Sequence, residues 1–200
     1  MSMSFEIFPT KAKTPKCDEI IQYSVYLFND FLKKERINQK IEVTTREVSV
    51  TNEVNMNPIA LTERENHYTV FNLNKEGEVY VFYRELKKLD NDFWSEELQE
   101  NKNAQSIKEK INANLTVGYS WNVKRTMGQP AIVSLYYGYL AIAIAELTDG
   151  IIYSDDGAWD YSCLPVESNN FKEQYLNLEK LSDATVKNNI ESWMMSLRNK

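Results

Sequence analysis

Apolar residues near the start of the chain recur with helical spacing and form a broad stripe along one face. Thr14-Pro15 precedes the stripe and predicts an N-cap followed by proline at the first helical position. Lys33, Lys34 and Arg36 close the segment and suit the negative end of a helix dipole. The pattern therefore predicts an amphipathic N-terminal helix. The stripe consists of Ile20, Tyr23, Leu27 and Phe31, widened by Ile21, Val25, Phe28 and Leu32.

Alternating and β-branched segments predict strands on both sides of this helix. The turn sequence Asn74-Lys75-Glu76-Gly77 ends in glycine and lies between two such segments, which predicts a β-hairpin. Residues 41–50 also alternate, with one slip in phase. The predicted strands cover 5–8, 41–50, 68–71, 79–83, 119–127 and 151–153.

The most apolar run of the chain, residues 131–145, predicts a second and more informative helix. Pro130 is expected at its first position, and Asp149-Gly150 closes it. Because this run is apolar nearly all round and contains small residues, we expect it at the centre of the fold. The other predicted helices are a polar one at 93–115, broken near 101–103, and a C-terminal one capped by Ser182.

These elements predict an α+β fold with one domain over residues 1–200. The chain shows no internal repeat, no low-complexity tract and no linker rich in proline, glycine or serine. We expect a mainly antiparallel sheet, packed with the amphipathic N-terminal helix and the buried central helix.

Acidic residues are concentrated in one stretch of the chain. The sequence has 23 Lys and Arg against 29 Asp and Glu, which gives a formal net charge of −6. No Lys or Arg occurs between Arg125 and Lys172, although six acidic residues do, so this stretch alone accounts for the net charge. Such a region attracts cationic partners and repels nucleic acid and anionic membranes. We therefore expect a basic protein partner, with no binding to nucleic acid or membrane.

Three further features predict a cytoplasmic protein. Cys17 and Cys163 are expected to be reduced thiols, although a single disulfide stays open. The first 16 residues lack a charged region followed by an apolar one, as a signal peptide requires. The apolar run 131–145 has 15 residues, fewer than the roughly 20 that span a bilayer.

The segment 153–161 combines three carboxylates with three aromatic rings and is the main candidate site. Aromatic anchors and paired charges are typical of protein interfaces, which predicts a binding loop. In the alternative interpretation, Asp156-Gly157 sets a turn and Trp159 covers the core; both interpretations can hold together. The predicted partner-binding residues are Asp155, Asp156, Trp159, Asp160 and Tyr161.

Catalytic and metal interpretations find weaker support in the same region. Asp155, Asp156 and Asp160 supply hard oxygen ligands, but their spacing does not match a D-x-D-x-D-G calcium loop, and no metal site is predicted. Glu146 or Asp149 paired with Asp155 is a possible acid–base couple for a hydrolase. No catalytic residue is assigned.

His67 is the only histidine, which excludes any site with two histidine ligands. It precedes a predicted strand and has no nucleophile motif nearby, so a strand-edge position is expected. The sequence contains no G-x-S-x-G, P-loop, G-x-G-x-x-G or C-x-x-C motif, and no cofactor is predicted.

The order of elements in residues 119–165 resembles that of a known class of bacterial proteins. The likeness runs from Met127-Gly128-Gln129-Pro130 through the apolar helix to the segment 150–160. This order is similar to that of immunity proteins from polymorphic-toxin and contact-dependent or type VI secretion systems. The resemblance implies a small, acidic, non-catalytic α+β protein that neutralises a cognate toxin by tight binding. It also implies a binding role for the acidic segment.

Together, the charge and the resemblance predict a non-enzymatic immunity protein. It would bind and neutralise a secreted bacterial toxin through an acidic, aromatic surface. The alternative is a small carboxylate- or metal-dependent hydrolase that uses residues 149–160. The identity of the toxin and the oligomeric state are left open.

Overall fold

The computed structural model describes residues 2–51 and 53–199 of the chain. Within these residues, eight strands form one antiparallel sheet. The strands are β1 (Ser2–Phe8), β2 (Val43–Ser49), β3 (Val54–Met56), β4 (His67–Leu73), β5 (Gly77–Glu85), β6 (Tyr119–Thr126), β7 (Ile151–Tyr153) and β8 (Val166–Glu167). Their order is β3-β2-β4-β5-β6-β1-β7-β8. The first strand therefore lies between two strands that come much later in the chain.

Seven α-helices accompany the sheet within the same described ranges. They are α1 (Cys17–Lys34), α2 (Lys88–Glu100), α3 (Lys102–Ser106), α4 (Lys108–Val117), α5 (Ala131–Thr148), α6 (Ser168–Gln174) and α7 (Ala184–Arg198). A 3-10 turn covers Tyr161–Cys163. The prediction of an α+β fold with an antiparallel sheet, an amphipathic N-terminal helix and a buried central helix is confirmed.

Helix α5 covers one face of the sheet. Its residues 132–145 are all buried, and the ring of Tyr137 stacks on Phe5 of β1 with centroids 4.9 Å apart. Helices α1, α6 and α7 pack on α5 in turn. The hydroxyls of Ser24 on α1 and Tyr136 on α5 lie 2.7 Å apart and share a hydrogen bond. The helical layer thus has α5 at its centre.

A close approach explains the glycine in the middle of α5. The ring of Tyr175, just after α6, lies so close that a Cβ on Gly138 would be 2.0 Å from Cζ of that ring. The Tyr175 hydroxyl donates to the Leu135 carbonyl at 2.9 Å and accepts from the Gly138 N–H at 3.2 Å. Gly138 therefore lets Tyr175 lie directly on the helix backbone.

Helix α2 packs on the opposite face of the sheet, at its β1–β7 end. Trp94 of α2 is fully buried, with its ring centroid 5.0 Å from that of Phe8 and 5.8 Å from that of Tyr153. Further along this face, the half-buried rings of Tyr68 and Phe82 contact each other. Helix α2 therefore stands beside the acidic segment that follows β7.

Helix α1 begins at Cys17, so the prediction of a Thr14 N-cap followed by Pro15 is wrong. The Pro15 carbonyl accepts from the Leu61 N–H at 3.2 Å, and the Cys17 N–H donates to the Ile59 carbonyl at 3.0 Å. Pairing with a distant segment thus keeps residues 14–16 extended.

Two other predicted helix starts differ by one position. Pro130 has φ −52° and ψ 149°, which makes it the N-cap of α5 and not its first helical residue. Asp183, not Ser182, caps α7, because its carboxylate accepts from the N–H groups of Thr185 and Val186. Serine and aspartate cap helices about equally well, but the Ser182 hydroxyl donates to Asp160 at 2.6 Å, which leaves Asp183 to cap α7.

Helix α5 has 18 residues, more than the 15-residue apolar run within it, and is long and apolar enough by composition to cross a membrane. Buried core helices of soluble proteins share this property, and 83% of this helix is buried inside the protein. Cys17 and Cys163 are free thiols, so the disulfide that the sequence left open is not formed.

Candidate functional site

The acidic loop, residues 154–160, continues from β7 beside the first half of β1. Asp156 accepts a hydrogen bond from the Ser4 hydroxyl at 2.7 Å and another from the Ala158 N–H at 3.1 Å. Gly157 follows with φ +76°, a left-handed conformation that glycine adopts without strain. Asp156 is exposed, but its carboxylate is engaged within the fold, as the turn interpretation predicts.

Trp159 lies in the core. Only 4% of the residue is exposed, and its ring centroid is 4.7 Å from that of Tyr175 and 5.7 Å from that of Phe171. A partner cannot reach this ring in the observed conformation. The expectation of a surface anchor at Trp159 is therefore corrected to a packing role, in agreement with the alternative interpretation.

Asp160 is also buried, with 4% of the residue exposed. One carboxylate oxygen accepts from the N–H and hydroxyl of Ser162, at 3.1 and 2.6 Å. The other accepts from the N–H and hydroxyl of Ser182, at 2.7 and 2.6 Å, and from the Asp183 N–H at 3.0 Å. The predicted charge partner for a basic ligand is thus an internal anchor, which ties the loop to the start of α7.

These hydrogen bonds keep Asp160 ionised. Burial alone would raise the pKa of its carboxyl group, but the donors from Ser162, Ser182 and Asp183 outweigh burial. The pKa therefore lies well below its usual value.

Asp155 and Tyr161 remain on the surface, as a binding role requires. Asp155 is exposed, and 51% of Tyr161 is exposed. The Tyr161 hydroxyl donates to a carboxylate oxygen of Glu97 on α2 at 2.8 Å. The ring of Tyr161 meets that of Tyr153 edge to face at 6.1 Å. Two of the five predicted residues are thus available to a partner without any rearrangement.

Acidic side chains from β1 and α2 join these two residues. Arg84 pairs with Asp90 at 2.6 Å and with Glu6 at 3.3 Å. Burial raises the pKa of Glu6, Arg84 lowers it, and the nearby Asp155 and Asp90 carboxylates raise it again, with a net increase. The loop surface, defined as Glu6, Asp90, Glu97, Asp155 and Tyr161, therefore carries four carboxylates, of which Glu6 and Asp90 share the guanidinium of Arg84.

Three residues of the loop surface escaped sequence reasoning. Glu6 alternates with core residues along β1, which indicates an outward side chain, but the pattern cannot say which strand lies beside it. Asp90 and Glu97 lie on one face of α2, seven positions apart. The sequence shows that spacing, but it does not show that α2 packs beside β7.

The carboxylates of the hydrolase hypothesis have separate structural partners. Asp149 binds Lys110 at 2.8 Å and Lys11 at 3.3 Å, and the hydrogen bond from Lys110 is the main cause that lowers its pKa. Glu146 accepts from the Ser168 hydroxyl at 2.7 Å. Asp149 precedes β7 and Asp155 follows it, so the structure does not bring this pair together.

A cavity of about 660 Å³ lies beside His67 at the start of β4. Its lining includes the carboxylates of Glu47, Glu53 and Glu63. Over the described residues, however, no group of three or more His, Cys, Asp or Glu side chains is arranged to hold a metal ion.

No family model, curated protein or solved structure matches this chain.

Proposed function

We propose that the protein is a non-enzymatic immunity protein that binds and neutralises a toxin protein through its loop surface. The observation that carries the proposal is the exposed pair Asp155 and Tyr161, which the fold sets beside further carboxylates. Asp155 makes no ion pair with any described residue, and Arg84 is already shared between Glu6 and Asp90. The surface therefore keeps a local excess of negative charge.

This excess explains how a partner would be recognised. Burial and, after it, repulsion from Asp155 raise the pKa of Glu6, and a lysine or arginine placed between the two carboxylates relieves that repulsion. Tyr161 adds an exposed ring whose edge is already fixed by Tyr153 and Glu97, so little side-chain entropy is lost on contact. A basic patch on the partner would also be steered to this surface by long-range attraction. A nuclease toxin must carry such a patch at its substrate site.

The protein fits a binding role better than the hydrolase role. The carboxylates of Asp149, Asp156 and Asp160 are each occupied by donors of the fold, so they are poorly placed to exchange protons with a substrate. The exposed residues of the loop surface, by contrast, are free to contact a protein.

The test is affinity capture with the tagged protein from its native lysate, followed by mass spectrometry. We expect a basic protein at one-to-one stoichiometry, which kills cells when expressed alone and spares them when co-expressed with this chain. Asp155→Lys should abolish both capture and protection. Glu65→Lys is the matched control, because it makes the same charge change at an exposed residue outside the loop surface.

Capture of no toxic partner would contradict the proposal. Equal loss of capture in Asp155→Lys and Glu65→Lys would contradict the assignment of the loop surface, since only overall charge would then matter.

A further inference from the structure

A groove of about 990 Å³ lies in the helical layer, on the opposite side of the sheet from Glu6. Helices α1 and α7 both pack against α5 and form the walls of the groove. Residues 175–179, which follow α6, close one part of it. An ion pair between Glu35 and Arg198 joins the ends of α1 and α7.

The floor of the groove contains a polar group without a partner. Tyr139 of α5 is 6% exposed and lies edge to face on Tyr175, with centroids 5.2 Å apart. Its hydroxyl makes no hydrogen bond with any described residue, and its oxygen is not among the fully buried atoms, so it opens into the groove. Burial, together with the Asp30 and Glu35 carboxylates, raises the pKa of Tyr139, so the hydroxyl keeps its proton.

The rim of the groove exposes apolar side chains on both walls. Tyr26 on α1 is 68% exposed, and Met195 on α7 is 56% exposed. Leu27 and Leu178 also line the groove. Exposed apolar side chains that converge on one concavity are typical of an interaction site, unlike single ones scattered over a surface.

Charges around the groove favour a basic ligand. Its lining has five acidic and three basic side chains. Lys34 pairs with Asp30 at 2.7 Å, Arg198 with Glu35, and Lys180 with Glu173 at 3.7 Å. Glu179, Glu191 and Lys172 form no ion pair with the described residues, which leaves one negative charge in excess. The acidic members are Asp30, Glu35, Glu173, Glu179 and Glu191.

The groove lies between two helices of the protein, α1 and α7. Amphipathic helices commonly bind by laying an apolar face between two helices of their receptor.

We propose that this groove binds an amphipathic helix of a partner protein, with apolar side chains between α1 and α7 and lysine or arginine side chains toward Glu179 and Glu191. The Tyr139 hydroxyl would donate to a polar group on the buried face of that helix. The groove is a second protein-binding site, and the proposal does not depend on a binding role for the loop surface.

The probe is a fluorescein-labelled 18-residue peptide with leucine and lysine at amphipathic helical spacing, measured by fluorescence anisotropy. We expect saturable binding that Tyr26→Lys and Met195→Lys each weaken at least tenfold. Both positions are exposed, so the variants should fold normally. Leu89→Lys is the matched control, because Leu89 is 79% exposed on α2, away from the groove, and should leave the dissociation constant within twofold.

Four results would overturn the proposal. One is the absence of saturable binding, and another is equal binding of a leucine–glutamate peptide. A third is loss of binding in Asp155→Lys with retention in Met195→Lys, which would locate the peptide on the loop surface. The fourth is a dimer in sedimentation velocity that dissociates in Met195→Lys, since a second copy of the chain would then fill the groove.

Discussion

Two aspartates of the acidic loop, five positions apart, have opposite environments. Asp160 is buried under five hydrogen-bond donors, whereas Asp155 is exposed and makes no ion pair with any described residue. Hydrogen bonds to a charged group stabilise a fold far more than an exposed carboxylate does. Asp160 therefore anchors the loop, whereas Asp155 keeps the exposure that the proposed binding role needs.

Asp160→Asn should lower the free energy of unfolding by about 2–4 kcal/mol, because an amide cannot accept all the hydrogen bonds that a carboxylate accepts. Urea denaturation at pH 7 measures this difference. Asp155→Asn is the control and should change the free energy by less than about 0.5 kcal/mol. Equal stability of Asp160→Asn and the wild type would contradict the anchoring role.

Acid should remove the same stabilisation. The pKa of Asp160 in the folded protein is depressed below the unfolded value of about 3.9, so its contribution is complete well above pH 4 and declines as the pH falls below it. The stability difference between wild type and Asp160→Asn should therefore shrink in denaturation curves recorded from pH 6 down to pH 3.

At the scale of elements, helix α2 supports the loop surface and contributes two of its residues, Asp90 and Glu97. Trp94 fixes the helix to β1 and β7 through Phe8 and Tyr153. The same helix then places Glu97 under the Tyr161 hydroxyl. The geometry of the proposed binding surface thus depends on the buried Trp94, although this side chain is not part of the surface.

Trp94→Ala should destabilise the protein by roughly 3–5 kcal/mol, because a large ring leaves a cavity between α2 and the sheet. Hydrogen exchange should accelerate most in α2, whereas α5 should stay the most protected helix. Uniform acceleration through α2 and α5 would contradict a local role for Trp94. Tyr161→Phe is the matched surface variant and should leave exchange in α2 nearly unchanged.

Periodicity predicted the elements that their own residues specify. The hairpin of β4 and β5 and the all-apolar helix α5 follow from local patterns and turn residues. Local patterns did not predict where α1 begins, because the residues before the helix pair with Ile59 and Leu61, far along the chain. The slip in the alternation of residues 41–50 does not come from an irregular strand. Strand β2 pairs residue by residue with β4, and Val43 and Val48 point to opposite faces of the sheet.

The candidate site was predictable only in part, for a similar reason. The acidic loop was located from composition, but composition cannot separate exposed from buried members of one segment. Trp159 is buried because it packs against Phe171 of α6 and Tyr175 just after that helix. Asp160 is buried because α7 begins beside it. Nothing in residues 153–161 alone indicates either neighbour.

Across the whole molecule, the sheet separates two candidate binding surfaces. The loop surface lies on the face that α2 partly covers, and the groove lies in the helical layer on the other face. The two surfaces can therefore be tested independently by single substitutions on opposite sides.

Association with the basic partner should slow steeply as salt is added. Between about 20 and 500 mM ionic strength the Debye length falls several-fold, so we expect the association rate to drop at least tenfold. Stopped-flow measurements should show a lower rate and weaker salt dependence for Asp155→Asn, which retains enough binding to be measured, than for Glu65→Gln. Identical salt profiles for the two variants would contradict local steering by the loop surface.

The position of β1 in the middle of the sheet has a consequence for synthesis of the chain. Its neighbours, β6 and β7, leave the ribosome after more than a hundred further residues, and translation adds roughly 5–20 residues per second. For several seconds or longer, the apolar side chains of Phe5, Ile7 and Phe8 have no strand to pair with. The nascent chain thus carries an unpaired apolar segment during most of its synthesis, and the sheet closes only when β6 and β7 emerge.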